Sequence, residues 1–153
     1  MAQLSAEFSV TPDEGCSPLV VSFTDQSTGS ITSWQWILGN GNQSTLQNPS
    51  AIYITPGQYS VTLIVGDGSN YDTITKTNLI TVFQNPTANY IGPANPNGCI
   101  PHDVSFTDLS TEGDAPITNF NWNFGDGKSS TQQNPTNTYT NPGLYSPTLI
   151  ITD

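Results

Sequence analysis

Trp34, Trp36 and Leu38 alternate with Gln35 and Ile37, and Phe120, Trp122 and Phe124 alternate with Asn121 and Asn123. A period of two places each trio on one face of a β-strand. Tyr59, Val61, Leu63 and Val65 repeat the pattern against Ser60, Thr62 and Ile64, and Val20 to Phe23 is a shorter β-branched run. A further strand is predicted from Asp72 through Lys76 to Ile80-Thr81-Val82. Turn chemistry separates these runs. Gly39-Asn40-Gly41 and Gly125-Asp126-Gly127 predict tight turns, and Pro56-Gly57 and Pro142-Gly143 predict turns with a positive φ at the glycine. Strands at roughly 8–12-residue spacing predict β-sandwiches.

The runs come in pairs. Gly15-Cys16-Ser17-Pro18 to Phe23-Thr24-Asp25 recurs as Gly98-Cys99-Ile100-Pro101 to Phe106-Thr107-Asp108, and Trp36 to Gly41 recurs as Trp122 to Gly127. Gln47-Asn48-Pro49 matches Gln133-Asn134-Pro135, and Pro56-Gly57-Gln58-Tyr59-Ser60 matches Pro142-Gly143-Leu144-Tyr145-Ser146. The register holds from end to end, so the chain is a tandem duplication, with extra residues in copy two around Glu112-Gly113-Asp114. The predicted domains are 1–84 and 85–153, with Gln84-Asn85-Pro86-Thr87 as linker. Asp153 aligns with Asp67, so copy two is expected to be truncated, without its last strand. Pro147 replaces Val61, which predicts an edge position or a bulge.

Composition narrows the function. Two Lys and no Arg stand against twelve Asp and Glu among 153 residues, a net charge of −10. Nucleic acid and anionic membranes both need cationic side chains, so neither is an expected partner. Thr, Ser and Asn make up about a third of the chain, and good helix formers are scarce. No stretch approaches the roughly 20 apolar residues of a membrane span. The start, MAQLSAEFSV, lacks the basic end and apolar run of a signal peptide. It reads as a processed end, a cytosolic start or a start added for expression, and we favour the last.

The single histidine, His102, offers no base for a nucleophilic set, and isolated turn carboxylates are not an acid/base pair, so no enzyme is expected. One histidine and two cysteines are too few for an ordinary four-ligand zinc site. Asp126 is read as a structural turn residue whose side chain accepts backbone N–H groups, with Asn40 acting similarly in copy one. The tryptophans read as core, while Tyr53, Tyr71 and Tyr90 are the more open aromatics, with nothing in the sequence gathering them into a platform. Asn42-Gln43-Ser44 fits an N-glycosylation sequon. Cys16 and Cys99 occupy equivalent positions of two domains in series, about a domain length apart, so no bridge between them is expected.

The runs Trp122-Asn123-Phe124-Gly125-Asp126-Gly127, Asn134-Pro135, Tyr139, Pro142-Gly143 and Tyr145 resemble the signature of the polycystic kidney disease (PKD) domain. The resemblance covers both copies. In copy one, Ile37-Leu38-Gly39-Asn40-Gly41 departs from the usual Asp-Phe-Gly-Asp-Gly. The Gly-Cys-x-Pro motif is similar to arrays in secreted and surface proteins of the Bacteroidetes, and Asp72-Thr73-Ile74 resembles an O-glycosylation site of that group at Thr73.

The resemblance implies an all-β fold of two tandem immunoglobulin-like sandwiches, of seven or so strands each, in an extracellular or cell-surface protein. It also implies calcium, with oxygen ligands from the domain start, the loop after the second strand and the loop after the sixth. In copy two these would be Asn85, Glu112 and Asp114, and Asp153. The corresponding loop of copy one, Ser27-Thr28-Gly29-Ser30, holds no acid. In similar arrays the cysteine pairs with one before the last strand, but Gly68-Ser69-Asn70-Tyr71 has none. Cys16 is then unpaired and the partner of Cys99 lies outside the chain. The alternative is two small buried thiols.

Three functions fit. The leading one is a non-catalytic spacer, stalk or adhesive module of an extracellular array, touching other proteins, polysaccharide or neighbouring domains. The second is an accessory carbohydrate- or polymer-binding module of a secreted hydrolase. The third is a fibre subunit assembled by strand complementation at the groove left by the missing strand.

Overall fold

A computed structural model describes residues 3–93 and 97–153, which form two compact units, Met1–Gln84 and Asn85–Asp153. Every element among the described residues is a β-strand or a loop.

Unit 1 has eight strands: β1 (Phe8–Thr11), β2 (Glu14–Cys16), β3 (Leu19–Asp25), β4 (Ser33–Ile37), β5 (Gln43–Ser44), β6 (Ser50–Tyr53), β7 (Gly57–Gly66) and β8 (Tyr71–Phe83). One sheet runs β1-β3-β6 and the other β2-β8-β7-β4-β5. The alternation read from the sequence decides which side chains turn inward. Leu19, Val21 and Phe23 on β3 and Val61, Leu63 and Val65 on β7 are buried, while their neighbours face outward. Trp36 is fully buried between the sheets, its ring 5.2 Å from Phe8 and 5.5 Å from Phe23. β8 adds Ile80 and Val82 to the same core. It also carries a register shift opposite Tyr59 and Val61, where Asn78 takes a φ of 51°, a conformation Asn tolerates. Lys76 on β8 reaches across to β1: its Nζ lies 2.5 Å from Glu7 Oε1 and donates to Phe8 O at 2.6 Å.

Unit 2 repeats the plan with fewer strands: β9 (Tyr90–Ile91), β10 (His102–Ser105), β11 (Thr107–Asp108), β12 (Asn119–Asn123), β13 (Ser129–Ser130), β14 (Thr136–Tyr139) and β15 (Thr148–Thr152). β9 pairs β11, β10 pairs β14, and the third sheet runs β13-β12-β15. Trp122 takes the place of Trp36, with Tyr90 at 5.0 Å and Phe106 at 5.4 Å.

Beyond the expected lack of a last strand, the described residues of unit 2 differ from unit 1 in two further places. Residues 97–99, the counterpart of β2, form no strand either, and β15 covers only the second half of β7. Pairing explains both. β2 pairs with β8 alone, and residues 57–61 of β7 face β8 alone, while Thr62–Gly66 also face β4. Only the stretch facing β12 is therefore a strand in unit 2. Pro147, expected at an edge or bulge, lies just outside β15 and has no N–H to give a ladder. Gly57 has the expected positive φ, 143°, whereas Gly143 does not, since no strand stands opposite to shape that turn.

Candidate functional site

Four carboxylates, Asp25, Asp67, Asp108 and Asp126, hold turns. Asp25, at the end of β3, accepts from Ser27 N at 3.0 Å, Gln47 Nε2 at 3.1 Å and Trp34 Nε1 at 2.8 Å, while its own N–H donates to Asn48 Oδ1. Asp108 accepts from Ser110 N and Gln133 Nε2, and its N–H donates to Asn134. Burial pushes Asp25 up, but these donors outweigh it and hold the carboxyl below its ordinary value; Asp108 behaves the same way. No role for this pair was read from the sequence. The signal was there, in the recurrence of Phe-Thr-Asp with Gln-Asn-Pro further on.

In the signature turns, Asn40 Oδ1 accepts from Asn42 N at 3.1 Å and Asp126 Oδ1 accepts from Lys128 N at 3.0 Å. The second side-chain atom differs. Asn40 Nδ2 donates to Ile52 O, whereas Asp126 Oδ2 accepts from Asn137 Nδ2, the counterpart of Ala51. Asp126 is held below its ordinary pKa: burial works against ionisation, but Asn137 and Lys128 prevail. Gly39 (φ +79°) could not carry a side chain for a second reason, since a Cβ there would meet Ser60 O at 2.5 Å.

The three segments proposed to carry calcium do come to one end of unit 2. Thr87 and Thr111 exchange backbone hydrogen bonds at 2.9 and 3.0 Å, and Thr118 N donates to Thr152 O at 2.8 Å. Asn85, Glu112, Asp114 and Asp153 all lie exposed on this end. Their oxygens suit calcium, but among the described residues no three His, Cys, Asp or Glu side chains gather to hold a metal. Asp67, the counterpart of Asp153, binds the N–H groups of Asn70 and Ser69, which lower its pKa.

Cys16 and Cys99 are both free and exposed, so the alternative of buried thiols does not hold. The last residue of short β2 places Cys16 at the surface. Tyr53 is also corrected: it is fully buried, donates to Leu38 O at 2.6 Å, and burial with Tyr59 nearby pushes its pKa up to about 12. Tyr90 is half-buried against Trp122, leaving Tyr71 as the open ring of the three. Asn42 and Thr73 are exposed. His102 on β10 is half-buried, with Nε2 unpartnered among the described residues.

One surface groove of about 600 Å³ lies in unit 1, between the first half of β4 and the segment after β5, and extends across the outer face of the five-stranded sheet to Tyr71. In unit 2 an apolar trough of about 700 Å³ is lined by Tyr90, Val104, Phe106, Tyr139 and Tyr145. Among the described residues no helix is long and apolar enough to cross a membrane.

The PKD domain profile matches residues 3–82 and 84–153. Over 119 residues the chain is 31% identical to the pre-pro-metalloprotease PrtV of Vibrio cholerae, covering 75% of this chain and 12% of the relative. It is 39% identical over 69 residues to collagenase ColQ1 of Bacillus cereus, which covers 44% of this chain and 7% of that one. Thus the chain spans only a small part of the curated relatives it matches. The solved PKD1 domain of Vibrio anguillarum Epp is 33% identical with a TM-score of 0.45, covering 53% of this chain and 96% of that one.

Proposed function

The chain belongs to the PKD domain family, and from that premise we propose that it is a non-catalytic extracellular module, spacing or displaying parts of a larger secreted or surface protein. The observation that carries this reading is the use of the carboxylates. Asp25, Asp67, Asp108 and Asp126 each accept a backbone N–H of their own turn, and Asp25, Asp108 and Asp126 also accept side-chain donors from other segments, a use that serves rigidity rather than acid or base chemistry. Calcium at the start of unit 2, held by Asn85, Glu112, Asp114 and Asp153, would add stiffness there, and the Thr87–Thr111 bridge favours it.

Two experiments test this. Asp25→Ala and Asp108→Ala should lower melting temperature while the chain turns over no ester, peptide or glycoside probe. Turnover that a carboxylate substitution abolishes without a change in melting would overturn the reading. A calcium-dependent rise in melting temperature, lost in Asp114→Ala, is expected for the ion, and no rise removes it.

The trough of unit 2 favours a second reading, assembly by strand complementation. A strand from another copy would lie where β8 lies in unit 1. Self-association abolished by appending a β8 sequence is the expected result; a monomeric chain rules the reading out.

A further inference from the structure

We propose that the groove beside β4 in unit 1 binds an uncharged polysaccharide chain, with Tyr71 as its stacking platform. The inference rests on the module reading above and names a ligand class for it.

The outer face of the five-stranded sheet is set by pairing. Tyr71 on β8 stands opposite Gly66 on β7, which stands opposite Ser33 on β4; the next row is Thr73, Ile64 and Gln35. Tyr71 is 71% exposed. Its position depends on the absence of a side chain at residue 66, where a Cβ would lie 2.8 Å from ring atoms Cδ1 and Cε1 and 2.7 Å from Ser33 Oγ. Gly66 has no positive φ, so glycine is not needed there for backbone reasons. Its effect is to let an aromatic ring settle over the sheet with most of its surface open to solvent.

The groove offers Ile64 and Leu46 as apolar surface and the Gln35 and Gln43 amides as paired donors and acceptors, with Trp34 lining it from the inward-facing row of β4, where it packs against the core and donates its indole N–H to Asp25. Leu46 is 66% exposed. No Asp, Glu, Lys or His lines the groove, in a chain whose surface is otherwise strongly acidic. A ligand with an apolar ring face and hydroxyl edges matches this lining: C–H groups lie on the aromatic face and hydroxyls exchange hydrogen bonds with amides. A cationic ligand would find no counter-charge here, and an anionic one would be repelled by the net charge of −10. Unit 2 supplies an internal control. Phe120 and Gln132 stand where unit 1 has Trp34 and Leu46, and no residue of the chain corresponds to Tyr71.

Native affinity electrophoresis of the whole chain in gels containing barley β-glucan, arabinoxylan, galactomannan or hydroxyethylcellulose tests the proposal. Retardation by at least one of these is expected. Tyr71→Ala should weaken it about tenfold, Tyr71→Trp should preserve it, and Gly66→Ala should weaken it with Tyr71 still present. Melting temperatures, followed in parallel, should stay close to that of the unchanged chain. No retardation by any neutral polymer overturns the proposal, as does retardation insensitive to Tyr71→Ala, or binding confined to anionic polymers or gelatin. Each leaves the module reading intact, whereas release of new reducing ends by the chain would break that reading and leave the binding site standing.

Discussion

Trp36 and Trp122 occupy the same place in their units, each edge-on to a ring from the unit's first strand, Phe8 or Tyr90, and tilted against a second ring, Phe23 or Phe106. Yet Trp36 donates its indole N–H to Leu46 O at 2.9 Å, while Trp122 Nε1 is buried with no partner among the described residues. Among the described residues the core of unit 1 holds fourteen buried apolar residues, Trp36 included, and that of unit 2 five, Trp122 included. Leu63 is fully buried and its counterpart Leu149 only partly so. The central aromatic motif is thus nearly constant while closure around it is not. What differs is one long strand, β8, which brings Ile80, Val82 and the Lys76 bridge, and which β2 and half of β7 need as a partner.

The largest test moves that strand. Appending a copy of residues 68–83 after Asp153 should raise the unit 2 melting transition by about 10 °C or more in calorimetry. Burying an Ile and a Val contributes roughly 1.5–3 kcal/mol each, and 1 kcal/mol shifts a small domain by about 4–8 °C. Residues 97–99 should then gain amide protection as a strand. An unchanged transition would place the difference between the units elsewhere.

Next comes the indole. Trp36→Phe loses volume and a hydrogen bond, leaving Leu46 O without its donor; Trp122→Phe loses similar volume but removes an unpartnered donor. Trp36→Phe should therefore cost about 1–2 kcal/mol more in denaturant unfolding. Equal costs would show that Trp122 finds a partner in solution.

A smaller effect lies in the signature turns. Asn40→Asp removes the donor to Ile52 O and should cost about 1 kcal/mol. Asp126→Asn should cost a similar amount alone, and less when combined with Asn137→Ala, which rebuilds the unit 1 arrangement. Additive costs in that double-mutant cycle would deny the coupling.

The smallest contrast is in acid. Glu7, bonded to Lys76, and Asp25, Asp108 and Asp126 all titrate below their ordinary values of 4.5 and 3.8 in the folded chain. Their stabilisation is complete above those values and is lost as pH falls through and below them, because the unfolded chain takes up protons first. Melting temperature should be flat from neutral pH to about 5 and fall in both units below about 4, a little more for unit 1 when Lys76→Met is the reference.

Much of this architecture was legible because it is local. Period two along Trp34–Leu38 and Tyr59–Val65 names the inward faces without reference to anything distant. The duplication then fixed which positions correspond. Non-local dependence was not legible: nothing within residues 97–99 says that a strand there needs a partner, which in unit 1 lies 67 residues on (Glu14 to Thr81). Tyr53 alternates with Ala51 and so shares its inward face, while its hydroxyl, which suggests an open ring, is satisfied by Leu38 O inside the core. The exchange of Asn40 and Ala51 for Asp126 and Asn137 is visible on aligning the copies, but its meaning waits on knowing that the two positions touch. The groove at Tyr71 depends on a cross-strand neighbour, Gly66, that sequence order does not mark.

The pairing of β2 with β8 is parallel, and it has a mechanical consequence. Tension drawing Glu14 towards the amino end and Phe83 towards the carboxyl end slides the two strands lengthwise past each other. The pairs Glu14–Thr81, Gly15–Val82 and Cys16–Phe83 then share the load and yield together, where an antiparallel pair pulled from one end would open bond by bond like a zip. Unit 1 thus contains a shear clamp, built where its second strand and its last strand run side by side in the same direction.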